Sequence, residues 1–210
     1  MKKIISLAAL AVLSAGASAA TNLITDGSFE SEITAAGTWQ LVTPSAWTVK
    51  TATGNTTTKL EVRNDNVGKA QDGVNFIELD GNENDKISQT LGGLTVGETY
   101  TVSFWFSDRT GVAASSEGWS LKIGSDYAAS QAGGGFNTSG GNQWQHFTGS
   151  FTATKTSDVF SLWGTGKSDS LGTSIDNISV TTAVPEPTTL GLFAAGLAML
   201  GVSARRRKQQ

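Results

Sequence analysis

The sequence contains no cysteine, so neither a disulfide bond nor a cysteine-based metal site or thiolate nucleophile belongs to this protein. Histidine is nearly absent as well, since His146 is the single one in 210 residues. A Ser-His-Asp relay would have to be built around His146, and nothing nearby in sequence completes one. We therefore expect His146 to be a surface or partly buried strand residue. Stability must come from a hydrophobic core, which about 160 residues suffice to build.

Basic residues are scarce away from the chain ends. Between residues 21 and 184, seven Lys and two Arg face seventeen Asp and Glu, a formal charge of −8, whereas the whole chain carries −3. Because an acidic surface repels phosphate backbones, we expect no nucleic-acid partner. Seventeen acids always allow some carboxylate pair at a glycosidase-like separation, so such a pair carries no weight by itself. The sequence therefore indicates no catalytic residues.

Residues 1–20 have the three parts of a secretion signal peptide. Lys2 and Lys3 form a basic region, residues 4–13 form an apolar stretch, and small residues end at Ala19 or Ala20. An N-terminal anchor helix is the alternative, but the apolar run is shorter than the ~20 residues that span a bilayer. We expect an exported protein.

The segment 184–210 has a different composition from the rest of the chain. An apolar stretch over residues 190–204 is flanked by two groups: first Pro185, Glu186 and Pro187, then the cations Arg205, Arg206, Arg207 and Lys208. The stretch is marginal in length for a short transmembrane helix. Basic residues stay on the cytoplasmic side, so the preceding domain would face outward.

These three parts resemble the PEP-CTERM sorting signal. The resemblance implies an exosortase-type processing enzyme as a partner. It also implies a precursor anchored in the membrane through the tail, and then a mature protein at the cell surface or in the extracellular matrix. An ordinary C-terminal anchor is the alternative, although Pro185, Glu186 and Pro187 have no role in plain anchoring.

Between the ends, short runs with period-two alternation replace any sustained helical period. The run 100–107 places Tyr100, Val102, Phe104 and Phe106 on one face and Trp105 on the other. Similar runs occur at residues 76–79, 87–91, 119–123, 145–152, 158–163 and 174–181. They predict an all-β fold over residues 21–183, an antiparallel β-sandwich (jelly roll), flanked by an N-terminal signal helix and a C-terminal short transmembrane helix.

The order of several motifs resembles the galactose-binding-like jelly rolls, which include carbohydrate-binding modules and DUF642-like extracellular domains. The motifs are residues 22–30, Trp47, residues 77–80, 87–91 and 97–104, Trp144, and residues 151–154 and 175–180. The resemblance implies a structural calcium held by Glu30 and Asp176, where the first and last strands meet. The alternative is that both acids bond backbone amides near the strand ends.

The six tryptophans are the main candidates for ligand contact, since sugars stack on exposed aromatic rings. Trp105 is the best of them because it lies opposite an apolar face, although a loop such as residues 133–141 could cover it instead. Trp119 shares the parity of Leu121 and Ile123, and Trp163 that of Val159, which predicts both in the core.

Three functions remain open on these residues. The first is a non-catalytic protein that binds an exopolysaccharide or a cell-envelope glycan. The second is a structural biofilm or surface protein that binds other proteins, and the third is a glycan hydrolase or lyase of the cell envelope. Fold alone does not decide among them.

Overall fold

The computed structural model of the protein describes residues 20–32, 34–54, 56, 58–134 and 140–182. The predicted signal helix and the predicted short transmembrane helix of the tail lie outside these residues. Within the described residues, no helix is long and apolar enough to cross a membrane.

The described part of the chain is built almost entirely of strands, with one short 3-10 helix, Ala114–Ser116. The strands are β1 (Thr38–Val42), β2 (Thr48–Thr51), β3 (Leu60–Asn64), β4 (Asn75–Glu78), β5 (Asp85–Gly92), β6 (Thr99–Ser107), β7 (Gly118–Ile123), β8 (Tyr127–Ala132), β9 (Gln145–Thr152), β10 (Ser157–Gly164) and β11 (Ser174–Thr182).

The strands form two antiparallel sheets that pack face to face. One sheet has six strands in the order β1-β3-β4-β11-β6-β9, and the other has five in the order β2-β5-β10-β7-β8. Strands that are neighbours in sequence often lie in different sheets, as in a jelly roll. The all-β antiparallel sandwich is therefore confirmed, and all seven runs predicted from the sequence are strands.

Aromatic side chains fill much of the core between the sheets. On β6 the buried positions alternate as predicted, with Phe104 fully buried and facing the opposite sheet. Phe104 packs edge-on against Trp119 of β7, with 4.8 Å between ring centroids. Phe147 of β9 joins the same cluster at 4.9 Å from each ring. Trp119 is thus a core residue, as predicted.

The first described residues pair with the last strand. Asn22 forms a bridge with Thr181, and the Leu23 amide donates to the Val180 carbonyl at 2.8 Å. The ladder between β11 and β6 shifts register between Asp176 and Ser179. At this bulge the Ile178 amide, freed from the ladder, donates to the Gly27 carbonyl at 2.9 Å. The bulge thereby attaches the N-terminal segment to the centre of the six-stranded sheet.

Candidate functional site

The outer face of the six-stranded sheet carries Trp105. This residue pairs with Asp176 on β11 and with His146 on β9, so all three side chains point away from the core. The Trp105 ring is half-buried and stacks on the exposed His146 ring, with 4.7 Å between centroids and an interplanar angle of 28°. Both residues therefore lie where the sequence placed them.

The loop between β3 and β4, residues 65–74, packs against this outer face. Arg63 donates to the Asn66 side chain at 2.8 Å, and the Trp144 indole donates to the Lys69 carbonyl at 2.9 Å. Phe76 is fully buried beneath the loop, with its ring edge-on to Trp144. The centre of this face is therefore closed, and Trp105 with His146 lies to one side of the loop. Residues 135–139 of the covering loop considered above lie outside the described residues.

Glu30 and Asp176 hold this loop through its backbone amides. One oxygen of Glu30 accepts from the amides of Val74 and Asn75 at 2.9 and 2.7 Å. One oxygen of Asp176 accepts from the amides of Gln71 and Asp72 at 2.7 and 2.9 Å, and its other oxygen accepts from Asn177 at 2.7 Å. Burial raises the pKa of Asp176 to about 7, against the opposing effect of these amide bonds.

These contacts bear on the implied calcium. Two of the four carboxylate oxygens each accept two N–H bonds, which occupies both of their lone pairs. Among the described residues, no group of three or more acidic or imidazole side chains is arranged to hold a metal ion. The backbone-amide role is what the geometry shows. A calcium ion would have to use the other two oxygens, of which Asp176 Oδ1 already accepts the Asn177 amide, and its binding stays a prediction.

A network of buried charges lies beside the same loop. Arg63 contacts Glu61 at 2.5 Å and Glu78 at 3.0 Å, and Arg109 contacts Glu78 at 3.2 Å. Burial raises the pKa of the fully buried Glu78 to about 7, although both arginines act in the opposite direction. The sequence prediction missed this network. Its local signal is the alternation of charges in Leu60–Asn64, a strand buried on both faces.

Trp163 lies on the outer face of the five-stranded sheet, so its predicted place in the core is wrong. The buried positions of β10 are Asp158, Phe160, Leu162 and Gly164, which leaves Trp163 pointing outward. The parity with Val159 misled the prediction because that valine is itself 45% exposed. The Lys86 ammonium on the neighbouring β5 lies 5.0 Å from the centroid of the Trp163 ring.

A shallow groove of about 250 Å³ begins at the Trp163 ring and runs over β7 and β8. Register explains it, because Trp163 pairs with Ser120, and Ser120 pairs with Ser130 on the edge strand. The next outward row contains Lys122 and Ala128. Small side chains beside one large ring leave a depression with hydroxyl and ammonium groups along it. Such a surface can stack a planar apolar face and hydrogen-bond the polar groups around it.

Comparison with known proteins confirms the predicted sorting signal in the tail and the predicted jelly-roll fold. Residues 183–208 match the PEP-CTERM protein-sorting motif. This motif marks the chain as an exported, surface-directed substrate of exosortase sorting. No curated protein matches the sequence.

Among solved structures, the chain is similar to an apo cyclase from Fischerella sp., with a TM-score of 0.59 and 19% identity over 80% of this chain and 98% of that one. It is also similar to a Stig cyclase from Fischerella sp. TAU in complex with (3Z)-3-(1-methyl-2-pyrrolidinylidene)-3H-indole, with a TM-score of 0.57 and 18% identity over 80% of this chain and 100% of that one. For TmCBM61, a carbohydrate-binding module in complex with beta-1,4-galactotriose, the TM-score is 0.50 and the identity is 17% over 78% of this chain and 99% of that one. At such identities the likeness establishes the jelly-roll fold alone.

Proposed function

We propose that this protein is a non-catalytic, polysaccharide-binding surface protein whose ligand stacks on Trp163. The observation that carries the proposal is the outward tryptophan ring beside a groove of small and polar side chains. Pyranose rings present an apolar face that packs on an indole, while serine hydroxyls and lysine ammonium groups bond the sugar hydroxyls. An outward ring that served only stability would gain more from burial in the core.

The fold and the sorting motif support the same function. TmCBM61, which shares the fold, was solved with beta-1,4-galactotriose bound. Sorting through an exosortase brings the domain to the cell surface, where exopolysaccharides and cell-envelope glycans are the abundant polymers. We propose that the protein adheres to one of these as a component of the extracellular matrix.

Trp105 is a second candidate contact, on the opposite face of the sandwich. His146 covers one face of its ring, which leaves the other face and the ring edge to contact a ligand. A glycan bound there would meet the hydroxyls of Ser103 and Ser179, which lie 2.8 Å from each other on the same outer face. The Trp163 groove remains the primary proposal because it is a formed depression.

Catalysis is the alternative that the cyclase likeness keeps open, since the same fold carries enzymes. The buried acids argue for a structural role instead. Glu78 is fully buried between two arginines, and Glu117 accepts bonds from the Arg109 amide and the Thr173 hydroxyl. Neither carboxylate lines the Trp163 groove. A role as a protein-binding biofilm component is the other alternative.

Glycan-array binding of the purified full chain tests the proposal. We expect binding to at least one polysaccharide, and a loss of about tenfold or more in affinity for Trp163→Ala, since an aromatic stacking contact contributes on the order of 1 kcal/mol or more beyond its buried area. Trp39→Ala is the matched control, because Trp39 is 52% exposed on β1 of the other sheet. Absence of binding to every glycan, or a Trp163→Ala variant that binds as tightly as the wild type, would overturn the proposal.

A further inference from the structure

The outer face of the five-stranded sheet carries an unusual share of the domain's positive charge. Lys50 on β2, Lys86 on β5 and Lys122 on β7 all point outward around Trp163. Register places Lys50 opposite Lys86, and Lys86 opposite Trp163, in one row across the sheet. Lys122 lies opposite Ser161 in the next row. Three of the seven lysines between residues 21 and 184 thus surround one ring.

No acidic side chain offsets these lysines on the described strands of that face. The acids in the five strands are Asp85 and Asp158, and both are buried on the inner side. Among the residues that the structure describes, none of the three lysines forms an ion pair. The same segment carries seventeen acids in total, so this is a cationic patch on an anionic body.

From this charge distribution we infer that the polysaccharide that stacks on Trp163 is acidic, with carboxylate or sulfate groups along its chain. The inference rests on the proposed function and specifies its ligand. Neighbouring strands lie about 4.8 Å apart, so Lys86 and Lys122 are separated by about 10 Å across the strands and about 7 Å along them. A glycan that stacks on Trp163 and enters the groove therefore has Lys86 beside the ring and Lys122 in the groove lining, and both lysine side chains can bring ammonium groups to its anionic substituents.

The alternative partner for a basic patch is nucleic acid, and the body of the domain disfavours it. A polyanion as dense as DNA extends beyond the patch and meets the acidic remainder of a domain with a formal charge of −8. A polysaccharide with one charge on each sugar or on every second sugar can place its few charges on the cationic patch without meeting the acidic surface around it. The Trp163 ring selects it further, because a pyranose face stacks on the indole between the lysines.

The test compares two polymers with the same backbone. Calorimetry on the full chain measures binding of polygalacturonate and of its fully methyl-esterified, uncharged form. We expect the acidic polymer to bind at least about tenfold more tightly at low salt, and we expect that preference to shrink as salt approaches about 0.5 M, because the Debye length falls well below the lysine spacing.

Charge variants locate the preference on the molecule. Lys86→Gln combined with Lys122→Gln should reduce binding of the acidic polymer about tenfold and reduce binding of the neutral polymer much less, because the glutamine amide still donates hydrogen bonds to sugar hydroxyls but carries no charge. Lys69→Gln is the matched control, since Lys69 is 85% exposed and lies in the loop on the opposite outer face. Dextran sulfate and alginate serve as further acidic probes.

The outcomes separate this inference from the proposed function. Equal binding of both polymers, lost in Trp163→Ala but retained in the lysine variants, would leave glycan binding standing and overturn the acidic ligand. Failure of every acidic probe to bind would overturn the inference, while the glycan array independently decides the proposed function. Binding of acidic polymers that survives Trp163→Ala would be charge adsorption alone and would contradict both.

Discussion

At the scale of single residues, Asp85 couples folding to pH. Its side chain is fully buried at the start of β5, and burial raises its pKa to about 8. The neighbouring acids Asp80, Glu83 and Glu61 act in the same direction, and the nearby Gly81 amide acts against them. An unfolded aspartate titrates near pH 3.9. Between about pH 4 and 8 the folded chain therefore binds more protons than the unfolded chain, and stability falls as pH rises through that window.

We expect Asp85→Asn to reduce this pH dependence. Above pH 8 the wild type must bury a charged carboxylate, and the amide removes that charge, so the variant should melt at a higher temperature than wild type at pH 8.5. Thermal unfolding followed by circular dichroism at pH 5.5, 7.0 and 8.5 measures the difference. Glu117, whose pKa burial also raises to about 8, leaves some pH dependence in the variant.

Asp126→Asn provides a control whose effect on stability should be the same at all three pH values. Bonds from the Thr154 hydroxyl and amide lower the pKa of the exposed Asp126, so its contribution is present at neutral pH and is lost as pH falls below its unfolded value. Parallel pH profiles for wild type and Asp85→Asn would contradict the coupling assigned to Asp85.

At the scale of elements, the loop over the six-stranded sheet depends on two carboxylates. Glu30→Ala removes the acceptor of the Val74 and Asn75 amides, and we expect a loss of about 1–3 kcal/mol in unfolding free energy. If calcium also binds at Glu30 and Asp176, excess chelator should lower the melting temperature of the wild type. The same chelator should lower the melting temperature of Glu30→Gln by a smaller amount, because that variant has lost a calcium ligand. An unchanged melting temperature under chelator would assign both carboxylates to the backbone amides alone.

Periodicity in the sequence predicted the elements whose two faces differ. Strand β6 has one core face and one outer face, so its apolar residues alternate and its position was predictable. Strand β3 was missed because the loop above it buries both faces and charged side chains fill one of them. Strand β8 was missed because Tyr127–Ala132 contains mostly small residues. That strand lacks the alternation of apolar and polar residues from which the seven predicted strands were identified.

The candidate site shows the same limit. The outward position of Trp105 followed from parity within its own strand, and the structure places it there. The Trp163 groove depends on the register that joins β10 to β7 and β7 to β8, which no local pattern specifies. Trp163 and Val159 point to the same side of β10, and because Val159 was expected to be buried, Trp163 was wrongly predicted to lie in the core. Pairing between strands, rather than composition, decides which tryptophan faces outward beside the groove.

At the scale of the whole molecule, the sorting motif over residues 183–208 predicts a cleaved tail. Replacing Pro185, Glu186 and Pro187 by Ala should leave membrane insertion intact and block processing, so that full-length protein accumulates in the membrane fraction. Replacing the four cations from Arg205 to Lys208 by Gln should weaken orientation and retention instead. Intact-mass analysis of the native mature protein provides the measurement. A mature chain that still contains residues 190–208 would contradict processing.

If the tail anchors the precursor in the membrane before processing, the position of β11 has a mechanical consequence. This strand leads directly into the tail and lies inside the six-stranded sheet, between β4 and β6, with residues 22 and 23 bonded to the end of the strand next to the tail. Tension between a bound polymer and the membrane therefore pulls on a strand held from both sides. Its two ladders must shear together, instead of opening one hydrogen bond at a time as an edge strand peels. The attachment point is thus placed where the sandwich best resists being pulled apart.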